Sequence, residues 1–94
     1  MNYKSIYKIP NGKLLKINLN LNDTNEKIDD IKITGDFFAY PEESIELIEN
    51  KLKNCRIEKN LLMEKIIQTI KKNNIEFIGL DAEGLVDGIM MCLK

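Results

Sequence analysis

Histidine is missing from this sequence altogether. Its absence removes the commonest general base, the commonest metal ligand and every Ser–His or Cys–His nucleophilic pair. Arginine is nearly as scarce, since Arg56 stands alone among 14 basic residues and the rest are lysine. Without the planar guanidinium fork, bidentate readout of phosphate or guanine is disfavoured. The two cysteines, Cys55 and Cys92, lie far apart with no C-x-x-C pairing. They read as reduced structural thiols, and a zinc or iron–sulfur site is not expected. Long hydrophobic runs are lacking as well, none approaching the roughly 20 apolar residues of a membrane span. The opening "MNYKSIYKIPNGK" is charged and has no apolar core, so it does not read as a signal peptide. A cytoplasmic location is the expectation, with no membrane partner.

What is present is ordinary for a folded domain: 44% hydrophobic and 31% charged residues, with a net charge of -1. The balance lacks the basic field of a general nucleic-acid binder, so no nucleic-acid partner is expected. At 94 residues the chain reads as one domain covering residues 1–94.

Residues 3–9, "YKSIYKI", read as a first strand with Tyr3, Tyr7 and Ile9 on one face and Lys4 and Lys8 on the other. "PNG" follows as turn chemistry. In "KLLKINLNLN", Leu15, Ile17, Leu19 and Leu21 alternate with polar residues, the period of a half-buried strand. "DTNE" is a second turn. In "KIDDIKITG", Ile31 and Ile33 alternate but Ile28 has the opposite parity, which predicts a β-bulge near Asp29–Asp30.

Three helices are expected to cover the apolar sheet face. The first spans about 41–53, with Pro41 in its first turn, Glu42 and Glu43 at its positive end and Ile45, Leu47, Ile48 and Leu52 inward. The second spans about 58–72, burying Leu62, Met63, Ile66, Ile67 and Ile70, with Asn73-Asn74 as a left-handed exit. "IEFIG" is a short extended connector. Asp81 then caps a last helix with a stripe of Leu85, Val86, Ile89, Met90 and Leu93, and Leu80 and Leu85 form a hydrophobic staple. The order βββααα predicts a two-layer α+β domain, a three-stranded antiparallel meander with helices on one face.

Few features can carry chemistry. Asp36, after the glycine that ends the third strand, suits a general base or a magnesium ligand only with a partner group. Capping of loop amides is the commoner role for such a residue. Phe37 and Phe38 are adjacent, so in an extended segment they face opposite ways. One anchors the sheet to the helices and the other belongs to a contact surface. Lys8 and Lys13 flank the "PNG" turn, as anion ligands or simply as solvated turn lysines. "GIMMC" cannot converge on one ion from a helix and reads as packing. "EGLVDG" lacks phosphate-loop spacing, and its glycines suit a close neighbour. No self-sufficient catalytic site emerges.

Taken together, "YKIPNGKLLKI" (7–17), "IKITGDFFAYPEESIELIENKL" (31–52) and "IGLDAEGLVDGI" (78–89) resemble the accessory domain of lipoate–protein ligases. The domain is the C-terminal portion of single-chain bacterial enzymes and a separate small subunit in split ones. The resemblance covers almost the whole chain and implies a fold shared with iron–sulfur scaffold and sulfur-acceptor proteins (SufE/NifU-like). It implies no catalytic residue and no metal ligand in this chain. It further implies a large catalytic partner subunit that binds lipoate and ATP with Mg²⁺, carries the catalytic lysine, forms lipoyl-AMP and serves lipoyl-acceptor proteins. By the same resemblance the small domain is expected to be required for activation and to sit over the active-site mouth during adenylation. By position the family motifs fall on Lys8, Pro10, Gly12 and Lys13, and on Gly35, Asp36, Phe37, Phe38, Pro41 and Glu42. Asn11 stands where a second glycine is usual, and a φ > 0 turn tolerates it. Contacts at the partner or active-site mouth are thus expected from Lys8, Gly12, Lys13, Gly35, Asp36, Phe37 and Phe38.

Two other readings compete: a stand-alone binding or carrier module in sulfur-cofactor metabolism, for which Cys55 and Cys92 lack the matched spacing, and a purely structural domain of a larger complex.

Overall fold

The computed structural model describes residues Met1–Lys94. Its elements in order are β1 (Asn2–Lys8), β2 (Leu14–Leu21), β3 (Ile28–Gly35), β4 (Phe38–Tyr40), α1 (Ser44–Leu52), α2 (Lys59–Lys72), β5 (Glu76–Ile78) and α3 (Ala82–Met91). The expected α+β architecture is present: β1, β2 and β3 form an antiparallel sheet in chain order. A second, two-stranded ribbon of β4 and β5 accompanies it. The sequence suggested only a loop and a connector there, because each strand is three residues long and its partner lies far along the chain.

The alternation in β2 is realised fully, with Leu15, Ile17, Leu19 and Leu21 buried between exposed Lys16, Asn18 and Asn20. The bulge falls where parity predicts it: Asn20 pairs with Asp30 and Leu21 with Ile28, which leaves Asp29 as the extra residue. Asn11 and Asn25 take positive φ in the two hairpin turns. The Asn22 side chain closes the second turn by accepting from the amides of Glu26 (2.9 Å) and Lys27 (3.2 Å).

All three helices lie on the inner side. α1 packs on β3, α3 on β1 and β2, and α2 bridges the other two helices. They enclose one core of 18 buried residues, with Tyr3, Tyr7 and Phe37 packed at its margin.

Three expectations need correction. Helix α1 begins at Ser44, so Pro41 and Glu42 precede it and Glu43 is its N-cap. Residues 38–40 are taken up in pairing with β5, and the chain needs a turn, closed by Ser44 N–H donating to Pro41 O at 3.0 Å, before it can start the helix. Ile67 and Leu93 are 38% and 37% exposed rather than inward, since α2 and the chain end contribute only part of their apolar residues to the core.

At the start of α3, Asp81 Oδ1 accepts from Gly84 N–H at 2.6 Å, and Leu80 and Leu85 are both buried. Gly84 and Gly88 let this helix lie close to the sheet. A Cβ on Gly84 would stand 3.0 Å from Ile9 Cγ2, and one on Gly88 only 2.7 Å from Leu15 Cδ2.

Candidate interaction site

The "PNGK" turn and the "GDFF" loop meet at one end of the sheet. Leu15 pairs with Gly35, so the turn that starts β2 lies beside the segment that leaves β3. Asp36 N–H donates to Leu14 O at 3.1 Å and extends the ladder by one bond. The turn is closed by Gly12 N–H to Ile9 O (2.8 Å) and Ile9 N–H to Lys13 O (3.2 Å). Lys13 N–H donates to Gly79 O at 3.0 Å, which ties the turn to the end of β5. Because β5 pairs Ile78 with Phe38, the two motifs and the ribbon form one continuous end of the molecule.

Gly79, at φ +83°, is needed here, because any Cβ would collide with the Lys13 stem. Gly35 has the same role beside β2, where a Cβ would strike the carbonyl oxygen of Leu14.

The side chains divide by job. Phe37 turns inward against the core, whereas Phe38 is 62% exposed. The parity argument for the doublet therefore holds, and Phe38 is the one that faces outward. Phe38 shares its ribbon face with Tyr40 and Ile78, 50% and 55% exposed, two contact candidates that the sequence did not single out. The Lys8 ammonium is engaged by its own turn, donating to Gly12 O (2.7 Å) and Ile9 O (3.0 Å). Lys13 and Asp36 are exposed, and neither joins any of the ion pairs on the surface. The capping role expected of Asp36 is not found: its amide donates to Leu14 O, and its carboxylate joins no ion pair. None of the five surface concavities includes Lys13, Asp36 or Phe38. This end of the molecule is an exposed surface built on strands, and these three residues line no cleft.

No group of three or more Asp, Glu, Cys or His side chains converges anywhere. Burial pushes both thiols up, that of Cys55 against an opposing pull from Lys65 and that of Cys92 against a smaller opposing influence of the nearby Ser5 hydroxyl. A thiol held protonated is a poor nucleophile and a poor ligand.

Fold and site together define a small α+β module whose strand-built end leaves Phe38, Tyr40 and Ile78 exposed. Residues 1–89 match the family described as the bacterial lipoate protein ligase C-terminus. The chain is also 32% identical over 89 residues to lipoate-protein ligase A subunit 2 of Thermoplasma acidophilum, an alignment that covers 95% of this chain and 88% of that protein. Among solved structures, a chain of the bipartite lipoate protein ligase system of T. acidophilum superposes with a TM-score of 0.81 at 29% identity, covering 95% of this chain and 94% of that one. The chain belongs to the lipoate–protein ligase C-terminal domain family. No helix is long and apolar enough to cross a membrane.

Proposed function

We propose that this chain is the accessory subunit of a two-part lipoate–protein ligase. In this reading it acts with a large catalytic subunit in the ATP-dependent activation of lipoate to lipoyl-AMP, before transfer to a lysine of a lipoyl-acceptor protein. The observation that carries it is the near end-to-end match to a protein that is itself a separate ligase subunit. ATP, Mg²⁺ and lipoate belong to the large subunit, where ATP supplies the adenylyl group.

What this chain contributes is position and cover. Phe38, Tyr40 and Ile78 give an apolar patch, and Lys13 and Asp36 give one charge of each sign beside it. Such a surface, seated at the mouth of the partner's site, excludes water from a hydrolysable mixed anhydride and completes the closed state. The sulfur-carrier alternative requires an accessible thiolate, and the buried, proton-holding Cys92 and half-buried Cys55 do not suit it.

The test is ATP–pyrophosphate exchange by purified large subunit with lipoate, alone and with this chain. Exchange should depend on the small subunit. Phe38→Ala or Lys13→Ala should lower it about tenfold at limiting subunit concentration, as loss of an interface anchor does. Equal exchange without the small subunit would refute the accessory role, and full activity in both variants would refute this placement of the contact.

A further inference from the structure

Lys8 and Lys13 flank the same turn but stand in opposite situations. The turn runs from Ile9 to Gly12, with Pro10 and Asn11 (φ +60°) at its centre, and Gly12 N–H donates to Ile9 O at 2.8 Å. The Lys8 side chain folds back over it, its ammonium donating to Gly12 O at 2.7 Å and to Ile9 O at 3.0 Å. Gly12 O has no other donor in the chain. An ammonium carries three donors, so two of those on Lys8 are committed within its own turn.

Lys13 is fixed from every side except its tip. The peptide unit that precedes it is held at both ends, its carbonyl by Lys8 Nζ and its N–H by Gly79 O at 3.0 Å. The Lys13 carbonyl accepts from Ile9 N–H at 3.2 Å, and the side-chain stem lies over Gly79, where there is no Cβ to displace it. Its ammonium is exposed and joins no ion pair. Among the hydrogen bonds that hold this turn, only those from Lys8 are made by a side chain, so only they depend on residue type.

Other roles fit Lys8 less well. A merely solvated lysine at a strand end has no reason to fold back, because fixing a long side chain costs rotamer entropy and water could serve both carbonyls. Two charge-assisted bonds made at once offset that cost. A lysine reaching for a partner would have to release both carbonyls, and Gly12 O would lose its one donor. We propose that Lys8 is a positioning residue of the two-subunit ligase: its ammonium clamps the turn, and the clamped turn presents Lys13 to the large subunit in a fixed direction. A side chain that is already oriented loses less freedom on binding than a free one. The inference rests on the accessory-subunit reading with Lys13 as a contact, and it takes Lys8 out of the contact set that the family motif suggests.

The test joins the free chain and the complex. Lys8→Met keeps the apolar stem and loses the donors. In the free full-length chain this variant should exchange the Lys13 amide hydrogen at least about threefold faster than wild type, and Lys8→Arg, which keeps charge and donors, should restore most of the protection. In calorimetry of the two full-length subunits, Lys8→Met should bind about fivefold more weakly. The double variant Lys8→Met/Lys13→Ala should bind no more weakly than Lys13→Ala alone, which separates a positioning residue from a contact. Losses that multiply in the double variant would make Lys8 a contact in its own right and overturn the inference. Wild-type affinity of Lys8→Met or of Lys13→Ala would overturn it as well and leave the ligase reading standing, as would unchanged exchange at the Lys13 amide. No association of the wild-type subunits would overturn the accessory-subunit reading together with this one.

Discussion

A carboxylate only 8% exposed needs a donor, and Glu49 finds one in the Ile33 amide, 2.7 Å from Oε2. Ile33 lies on β3, whose outer edge no strand covers, so the α1 side chain satisfies a backbone group that the sheet leaves open. Glu49→Ala strands that amide and should cost roughly 1–3 kcal/mol. Glu49→Gln, which keeps an acceptor, should cost less. Urea unfolding of the two variants checks it, and equal stability of Glu49→Ala and wild type would show that water replaces the carboxylate. Nothing in "IELIENK" marks Glu49 as different from Glu46, because the distinction lies in a strand 16 residues away. The Phe37–Phe38 doublet was legible for the opposite reason. Its division into one inward and one outward ring is a local consequence of extended backbone.

At the scale of elements, the long amphipathic segments were readable because each satisfies one periodic rule along its own length. Even the bulge at Asp29 shows as a broken parity in the sequence. The β4–β5 ribbon was not readable. Its strands are three residues each, too short for a period, and they pair across nearly 40 positions of chain, next to the bond that joins Lys13 N–H to Gly79 O. The contact between α3 and the sheet is a further long-range fit. Gly88 admits Leu15 and Ile17, and its carbonyl accepts from Ser5 Oγ at 2.8 Å. Gly88→Ala gains about 1 kcal/mol of helix propensity, but its Cβ overpacks a fully buried leucine at about 1–3 kcal/mol. The expected sum is a net loss of up to about 2 kcal/mol in chemical denaturation. A stabilised variant would show that α3 can lift from β2 at little cost.

Over the whole molecule, the candidate site was legible as a set of motif residues and illegible as a surface. Lys8, Lys13, Asp36 and Phe38 could be listed from "PNGK" and "GDFF". That Lys8 serves its own turn, and that Tyr40 and Ile78 complete the patch, follows only from the assembled end. The core makes a prediction of its own through Cys92, 5% exposed at the C-terminal cap of α3 with its thiol raised by burial. In the folded chain that thiol keeps its proton at a pH where an unfolded one ionises. The unfolded state then binds fewer protons, and stability falls as pH rises. The contribution of Cys92 is complete below the ordinary thiol value of about 8.5 and is lost as pH climbs through the raised folded value. Because Cys92→Ala removes the titrating group, the gap in unfolding free energy between wild type and variant should narrow from about pH 7.5 to about pH 9.5. Lysines titrate in both proteins and cancel in the difference. A gap that stays constant over that range would mean that the thiol ionises as readily inside the fold as outside it. In that case the case against a reactive-cysteine role would lose its footing.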